Sequence, residues 1–486
     1  MKKKEHDMKI PLFILLACII NMPKSTAKNH DEVQHYNKQS YEWQLTKLLT
    51  SLNEVTGVPG FSVAVVYKDK LVASVATGFS DIKNELPAKP NTTFRLASVS
   101  KVIGATMLAE LVNNDQLNPD VSIGQYYPEL NKKYHSITVR QLLSHTSGMP
   151  HYQIKDYDIY DAHFDTAVEA VNTLKDRDLL SRPGTKYLYS THGYTLAGAL
   201  YEKITKQPLT VSVENFITRW SGNETPAIEN INDLHERSSR LYELSKMGGS
   251  EIAFGEKSYS VFGAGLYASA SDLAFFGGEV LKKAKTQKPY QQLLFTPTTT
   301  QDGNPVTSRN FDVGFGWRIA KDLHGRKVYH HAGATPGARS MLAIYPEHDL
   351  SIAFLSNSSW ISSIDKLVFA LAGLYIDSVK PKTLTSIEYH INNNGTSLTG
   401  TASCQENKCL LTDSMTDYSR WLNTFNVNKA AIKQWPVFFY STEQGQRLLM
   451  VNKVGITEFD DKGTHFEVNT GKDQTYSIEL INQKLD

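Results

Sequence analysis

The chain has 486 residues, enough for one large enzyme domain and a smaller companion. Hydrophobic residues make up 41% and charged residues 21%, the balance of an ordinary globular protein. With 51 basic against 50 acidic side chains, the formal net charge is +1, which argues against a nucleic-acid surface.

The first residues read as a leader. Met1-Lys2-Lys3-Lys4 is basic, Ile10 to Ile20 is apolar but short for a membrane span, and Ser25-Thr26-Ala27 is a small-x-small cleavage site. Residues 1–27 are therefore expected to be a signal peptide cut after Ala27, placing the protein in the periplasm or outside the cell. The runner-up is lipidation at Cys18, within the lipobox-like Leu15-Leu16-Ala17-Cys18; an uncleaved anchor comes third. Membrane association is expected only through such an uncleaved or lipidated N-terminus.

Residues 28–40 are polar. Tyr41 to Val55 has helical spacing, with Trp43, Leu45, Leu48, Leu49 and Leu52 assigned to one stripe. Phe61–Tyr67 and Leu71–Gly78 are apolar β-branched runs joined by Lys68-Asp69-Lys70, a hairpin pattern. The extended-looking Thr92–Ala97 leads into Ser98-Val99-Ser100-Lys101 and the apolar segment Val102–Val112. A serine one helical turn before a lysine puts hydroxyl and amine on one face. Serine needs a base to become a nucleophile, and a partly buried lysine can share that work. The same S-x-x-K spacing recurs at Ser25, Ser80 and Ser363, in a leader, a polar turn and a late helix, so context decides.

To about residue 260 the chain reads as helices and loops. Thr138-Val139-Arg140-Gln141 is a capping box, and Ser269-Ala270-Ser271-Asp272 repeats the device. Between them, Tyr189-Ser190-Thr191-His192-Gly193-Tyr194 precedes an apolar helix; a tyrosine there can exchange a proton if a cation holds its pKa down. Strand patterns return at Gly314–Ala320, Lys327–His330, Ser340–Tyr345 and Ser351–Ser356, followed by a helix over Ile364–Ser378. His331-Ala332-Gly333-Ala334 ends the second of these strands, where a glycine lets backbone approach a substrate. The pattern predicts an α/β (α+β) fold in which the two ends of residues 28–380 build one mixed sheet flanked by helices, around a helical insertion. Composition shifts near Val379-Lys380-Pro381-Lys382, and residues 381–486 read as a β-rich domain. Its Cys404 and Cys409 suit a disulfide loop; no Cys/His partner pair with metal spacing accompanies them, so no metal is expected.

Together the Ser98-x-x-Lys101, Tyr189 and His331-x-Gly333 patterns are similar to those of the serine β-lactamase-related family of class C β-lactamases, penicillin-binding-protein-like hydrolases, esterases and D-amino-acid peptidases. The resemblance runs from about Pro59 to Ser378. It also includes Leu142-Leu143-Ser144-His145-Thr146-Ser147-Gly148, Gly263-Ala264-Gly265-Leu266-Tyr267-Ala268 and Gly314-Phe315-Gly316-Trp317. Leu188–Leu196 and Ser147–Tyr152 look most like the mitochondrial serine β-lactamase-like branch. The resemblance implies Ser98 as acylated nucleophile, Lys101 and Tyr189 as the proton-transfer pair, the N–H groups of Ser98 and Ala334 as oxyanion hole, and His331 and Gly333 as the third wall. It implies no cofactor, and His145 reads as structural.

Two departures stand out. Thr191 replaces the asparagine of Tyr-x-Asn, and His331 replaces the lysine of Lys-Thr-Gly, which weakens the cation for a substrate carboxylate; Arg339 is a substitute by nearness in sequence only. The expectation is an exported serine hydrolase forming a Ser98 acyl-enzyme on amide or ester bonds of a peptide or small molecule, peptidase before esterase. The alternatives are a class C-type β-lactamase, or a catalytically weak assembly protein. Homo-oligomerisation is left open.

Overall fold

The computed structural model describes residues 38–485, apart from 154–155, 157–158, 160–161, 222–227, 229–235, 246–247, 254, 361–363, 394, 413–433, 454 and 472–473. The leader, with Cys18 and Ala27, lies outside the described residues. None of the described helices is long and apolar enough to cross a membrane.

Helix α1 (Lys38–Thr56) buries Leu45, Leu48, Leu49 and Leu52 completely. Trp43 does not join them. It is 39% exposed, under the Lys47 ammonium, because two residues before Leu45 is about 200° round the helix. Strands β1 (Gly60–Tyr67) and β2 (Lys70–Asp81) form the expected hairpin, with Lys68 and Asp69 both at positive φ as a tight primed turn demands. A short β3 (Leu86–Pro87) lies on β2, and β4 (Phe94–Arg95) leads to α2 (Ser100–Asn113).

The middle of the chain is helical. It contains α3 (Val139–Leu143), α4 (Ala167–Asn172), α5 (His192–Thr205), α6 (Leu209–Ser221), α7 (Val261–Ala264), α8 (Ala270–Thr286) and α9 (Lys288–Phe295). The Thr138–Gln141 capping box opens α3 and Ser269 caps α8. A hairpin of β5 (Leu241–Ser245) and β6 (Gly248–Ile252) interrupts this region. The strands are short, and Leu241 and Tyr242 are both buried, so no clean alternation marked them. A two-residue β7 (Tyr267–Ala268) pairs with β4.

Strands β8 (Thr307–Ser308), β9 (Phe311–Val313), β10 (Arg318–Lys321), β11 (Lys327–Thr335), β12 (Ala338–Tyr345) and β13 (Leu350–Ser356) follow, then α10 (Asp365–Ile376). The sheet order is β3-β2-β1-β13-β12-β11-β10-β9-β8. The two ends of this region do build one sheet, through Phe61↔Ser356 to Tyr67↔Leu350. Every ladder in it is antiparallel: turns join the strands that follow one another, and β1 and β13 pair antiparallel across the whole helical region. Helix α8 packs on β1, β12 and β13, with α1 and α10 packed on strands of the same sheet.

After β14 (Lys380–Pro381) come β15 (Ser386–Asn393), β16 (Thr396–Gln405), β17 (Lys408–Thr412), β18 (Gln434–Thr442), β19 (Gly445–Asn452), β20 (Gly455–Asp461), β21 (Phe466–Gly471) and β22 (Gln474–Lys484). Each of β15 to β22 pairs with the next and β22 returns to β15, a closed eight-stranded up-and-down barrel. Cys404 and Cys409 are joined by a disulfide across the β16–β17 turn. The barrel shares one apolar core with the outer helices: Leu48 of α1 and Leu371 and Tyr375 of α10 belong with Phe439 and Leu448. Residues 435–440 and 448–451 are buried without alternation, because these strands are covered on both faces.

Candidate active site

Ser98 sits at the mouth of α2. Its predecessor Ala97 is buried at φ +48°, a left-handed conformation that costs a non-glycine residue energy and is held by packing. Leu96 N–H donates to Leu266 O and Leu266 N–H to Ser100 Oγ, fixing the turn from both sides.

Lys101, one turn later, is fully buried. Its Nζ donates to Gly263 O at 2.6 Å and to Thr191 Oγ1 at 3.2 Å, and lies 3.1 Å from Ser98 Oγ. No carboxylate faces it among the described residues. Burial, with Arg318 nearby, therefore pushes its pKa well below the ordinary lysine value. A neutral amine can donate to Gly263 and Thr191 and accept the Ser98 hydroxyl proton. Tyr189 completes the circuit by donating its O–H to Ser98 Oγ at 2.9 Å. Burial raises the Tyr189 pKa and outweighs the opposing Arg318 charge and Ser98 hydrogen bond, so the phenol is a neutral donor. The expected cation does not hold it below its usual range; burial prevails.

His145, at φ +59° and buried, lies behind Tyr189 with ring centroids 4.3 Å apart. Its Nδ1 accepts from Ser190 N–H, and its carbonyl accepts from Leu188 N–H at 2.7 Å. Burial keeps it neutral. It positions the tyrosine segment. Thr191 is buried at the lining of the cavity, where its hydroxyl accepts from Lys101 and offers no amide.

The third wall is β11. His331–Ala334 lie inside the strand, paired with Leu342–Arg339 of β12, so the strand runs past the predicted end at His330. At Gly333 a Cβ would sit 2.3 Å from Leu96 O and 3.1 Å from Ser98 N, so only glycine lets the strand approach the nucleophile. Thr335 and Ala338 close a two-residue turn, and the antiparallel alternation directs Ala332 and Ala334 N–H away from β12. Pairing with β10 stops at Arg318↔His330, which leaves that edge of β11 open beside Ser98.

His331 departs from its assigned place. It is 2% exposed, its Nδ1–H donates to Ala332 O at 2.8 Å, and burial keeps it neutral; Ala332, Gly333 and Ala334 line the cavity instead. Its strand position explains this, because a neutral imidazole is easier to bury than a lysine. Arg339 lines the cavity, but its guanidinium is engaged by the carbonyls of Thr335 and Ala338. A cavity cation that sequence reasoning missed is Arg318. It lines the cavity, its guanidinium lies 4.6 Å from the Phe311 ring centre, and among the described residues no carboxylate pairs with it. Only the cross-strand register to His330, next to His331, could have exposed it in advance.

The cavity holds about 1030 Å³ and runs from Ser98 past Arg318 to Lys321 and Lys366. Among the described residues no cluster of acidic, histidine or cysteine side chains could hold a metal ion.

The β-lactamase family model matches residues 45–360. The chain belongs to the β-lactamase family. Among this family's curated members, human mitochondrial serine β-lactamase-like protein LACTB is 24% identical over 388 residues, covering 62% of this chain and 71% of the relative. A solved class C β-lactamase aligns with TM-score 0.57 at 19% identity, over 69% of this chain and 95% of that one. The octameric penicillin-binding protein homologue from Pyrococcus abyssi aligns with TM-score 0.57 at 18% identity, over 91% of this chain and all of that one. The β-lactamase fold thus accounts for the sheet, the helical insertion and the Ser98 turn.

Proposed function

We propose that this protein is a serine hydrolase that cleaves amide or ester bonds through an acyl-enzyme on Ser98, with peptides favoured over simple esters. The single observation that carries this reading is the circuit in which Tyr189 O–H meets Ser98 Oγ and Ser98 Oγ meets a buried Lys101.

Ser98 Oγ attacks the carbonyl carbon while its proton passes to the Lys101 amine. The oxyanion takes the N–H groups of Ser98 and Ala334. On collapse, Tyr189 gives its proton to the leaving nitrogen or oxygen. The phenolate, near the new Lys101 ammonium, then removes a proton from water, and the hydroxide attacks the acyl carbonyl. Ser98 leaves and recovers its proton from Lys101, restoring all three groups.

Three features support peptides. The open edge of β11 can accept an extended chain as an added strand. Arg318 offers a cationic partner for a carboxylate. The cavity, about 1030 Å³, has the volume for several residues. Efficient β-lactam turnover is disfavoured, because Thr191 offers no amide and His331 is neutral and buried.

The proposal includes export to the periplasm or beyond, supported by the basic, apolar and small-residue pattern of residues 1–27 and by the Cys404–Cys409 disulfide. The test is fluorophosphonate labelling of wild type and Ser98→Ala, with an intact mass of protein from the cell envelope. Equal labelling of the two would refute the nucleophile, and a diacylglyceryl Cys18 terminus would replace cleavage after Ala27 by lipidation.

A further inference from the structure

The turn between β10 and β11 forms the outer wall of the cavity, through Lys321, Asp322 and Leu323. It is tied to the barrel by buried charges. Asp322 accepts from Arg326 Nε at 2.6 Å and from the N–H groups of His324 and Arg326. Arg326 reaches Asp377, just past α10, with contacts of 2.8 and 3.0 Å. Asp377 also accepts from Arg447 of β19, whose Nε lies 2.7 Å from Glu458 of β20. Glu458 returns to the turn at His324 Nε2, 2.9 Å away. The path is a closed ring of Asp322, Arg326, Asp377, Arg447, Glu458 and His324. The side chains of Arg447 and Glu458 are only 6% and 4% exposed.

The ring is built for this contact. A Cβ at Gly373 of α10 would meet Arg447 Nη1 at 2.5 Å, so the helix has a glycine where the barrel arginine crosses it. A surface ion pair would need no such passage and would contribute little. In some proteins buried pairs of fixed geometry specify one arrangement of the elements that carry them.

We propose that Arg447 and Glu458 are positioning residues for the hydrolase: the barrel sets the place of the Lys321–Leu323 wall and so decides which long substrates reach Ser98. This rests on the serine hydrolase reading, and its test separates the two. Removing one member would strand a charge, so the variant is the double Arg447→Met/Glu458→Met, which leaves Arg326 paired with Asp322 and Asp377. Arg447→Lys is the conservative rescue. All are made in the full chain, with unfolding followed by circular dichroism.

The first readout needs no turnover. A spin label on Leu323→Cys, in a Cys18→Ser background, reports the wall directly, since Leu323 is exposed. An immobilised spectrum is expected in the parent and an averaged one in the folded double variant, with Arg447→Lys in between. The second readout is the rate of Ser98 labelling by a small and by a long biotin-tethered fluorophosphonate. The small probe is expected to stay within threefold, while the long-to-short ratio changes at least fivefold. An unchanged spectrum and ratio in a folded double variant overturn the proposal. A changed spectrum without labelling of wild-type Ser98 upholds the positioning role and refutes the hydrolase reading. A double variant that does not fold while Arg447→Lys keeps parental spectrum and ratio makes the ring a stability element only, and also overturns it.

Discussion

Lys101 Nζ donates to the carbonyl oxygen of Gly263 at 2.6 Å, so the amine beside the nucleophile is anchored by backbone and not by a carboxylate. A carboxylate would hold the proton on the lysine; a carbonyl orients the nitrogen with no full negative charge to retain it.

Lys101→Arg is therefore expected to fold and to lose activity by about 10²- to 10⁴-fold, because a guanidinium does not give up its proton. Ester hydrolysis and fluorophosphonate labelling check this. Activity within tenfold of wild type would remove the lysine from its role as base.

The same burial has a stability consequence. The folded pKa of Lys101 is lowered, so between that value and about 10.5 the unfolded chain binds the extra proton and stability rises with pH. Lys101→Met should flatten this rise, by up to about 1.4 kcal/mol per pH unit. Urea unfolding at stepped pH measures it; identical slopes in both proteins would contradict a neutral lysine.

Acid should act in the opposite window. Burial lowers the pKa of His330 to about 3 and of His192 to about 4, and takes His145 and His331 well below 6.5. Below about 6.5 the unfolded chain binds protons that the folded one refuses, so stability falls as pH drops towards those values. His330→Phe, removing an imidazole whose Nδ1 has no partner among the described residues, should make the fall shallower between pH 6.5 and 4. The urea midpoint across that range is the measurement.

Arg318→Met should raise KM for peptide anilides ending in a free carboxylate by about 10- to 100-fold, the worth of one charge-assisted hydrogen-bonded contact. Uncharged p-nitrophenyl esters should change much less. Equal effects on both substrates would mean that Arg318 acts on the site's electrostatics and not on a substrate charge.

Replacing both Cys404 and Cys409 by serine opens a loop of six residues and should cost about 2 kcal/mol if the chain-entropy account holds. The difference in urea midpoint reports it. No change in Ser98 labelling is expected from this pair.

The residues of the candidate site were legible because each part carries a local pattern. The Ser98–Lys101 spacing needs one helical turn, Tyr189 heads a helix, and Gly333 marks a strand too close for a side chain. What stayed hidden depends on register. Arg318 acquires meaning only by lying across from His330, and Thr191 only by pointing at Lys101. Closure of the barrel rests on β22 meeting β15, a pairing across some ninety residues that alternation in either strand cannot announce. The Trp43 error was one of angle: the stripe was real, and the tryptophan was two residues out of phase with it.

The pairing of β1 with β13 sets the order in which the chain can fold. The first hairpin emerges early in synthesis, yet its neighbour lies nearly three hundred residues later, and until Leu350–Ser356 is made the backbone N–H and C=O groups along the outer edge of β1 have no strand to pair with. Contacts this distant close slowly, since the intervening loop must lose its freedom first. Acquisition of native structure should therefore come late and all at once, with Ser98 unreactive on any nascent chain that stops short of Ser356.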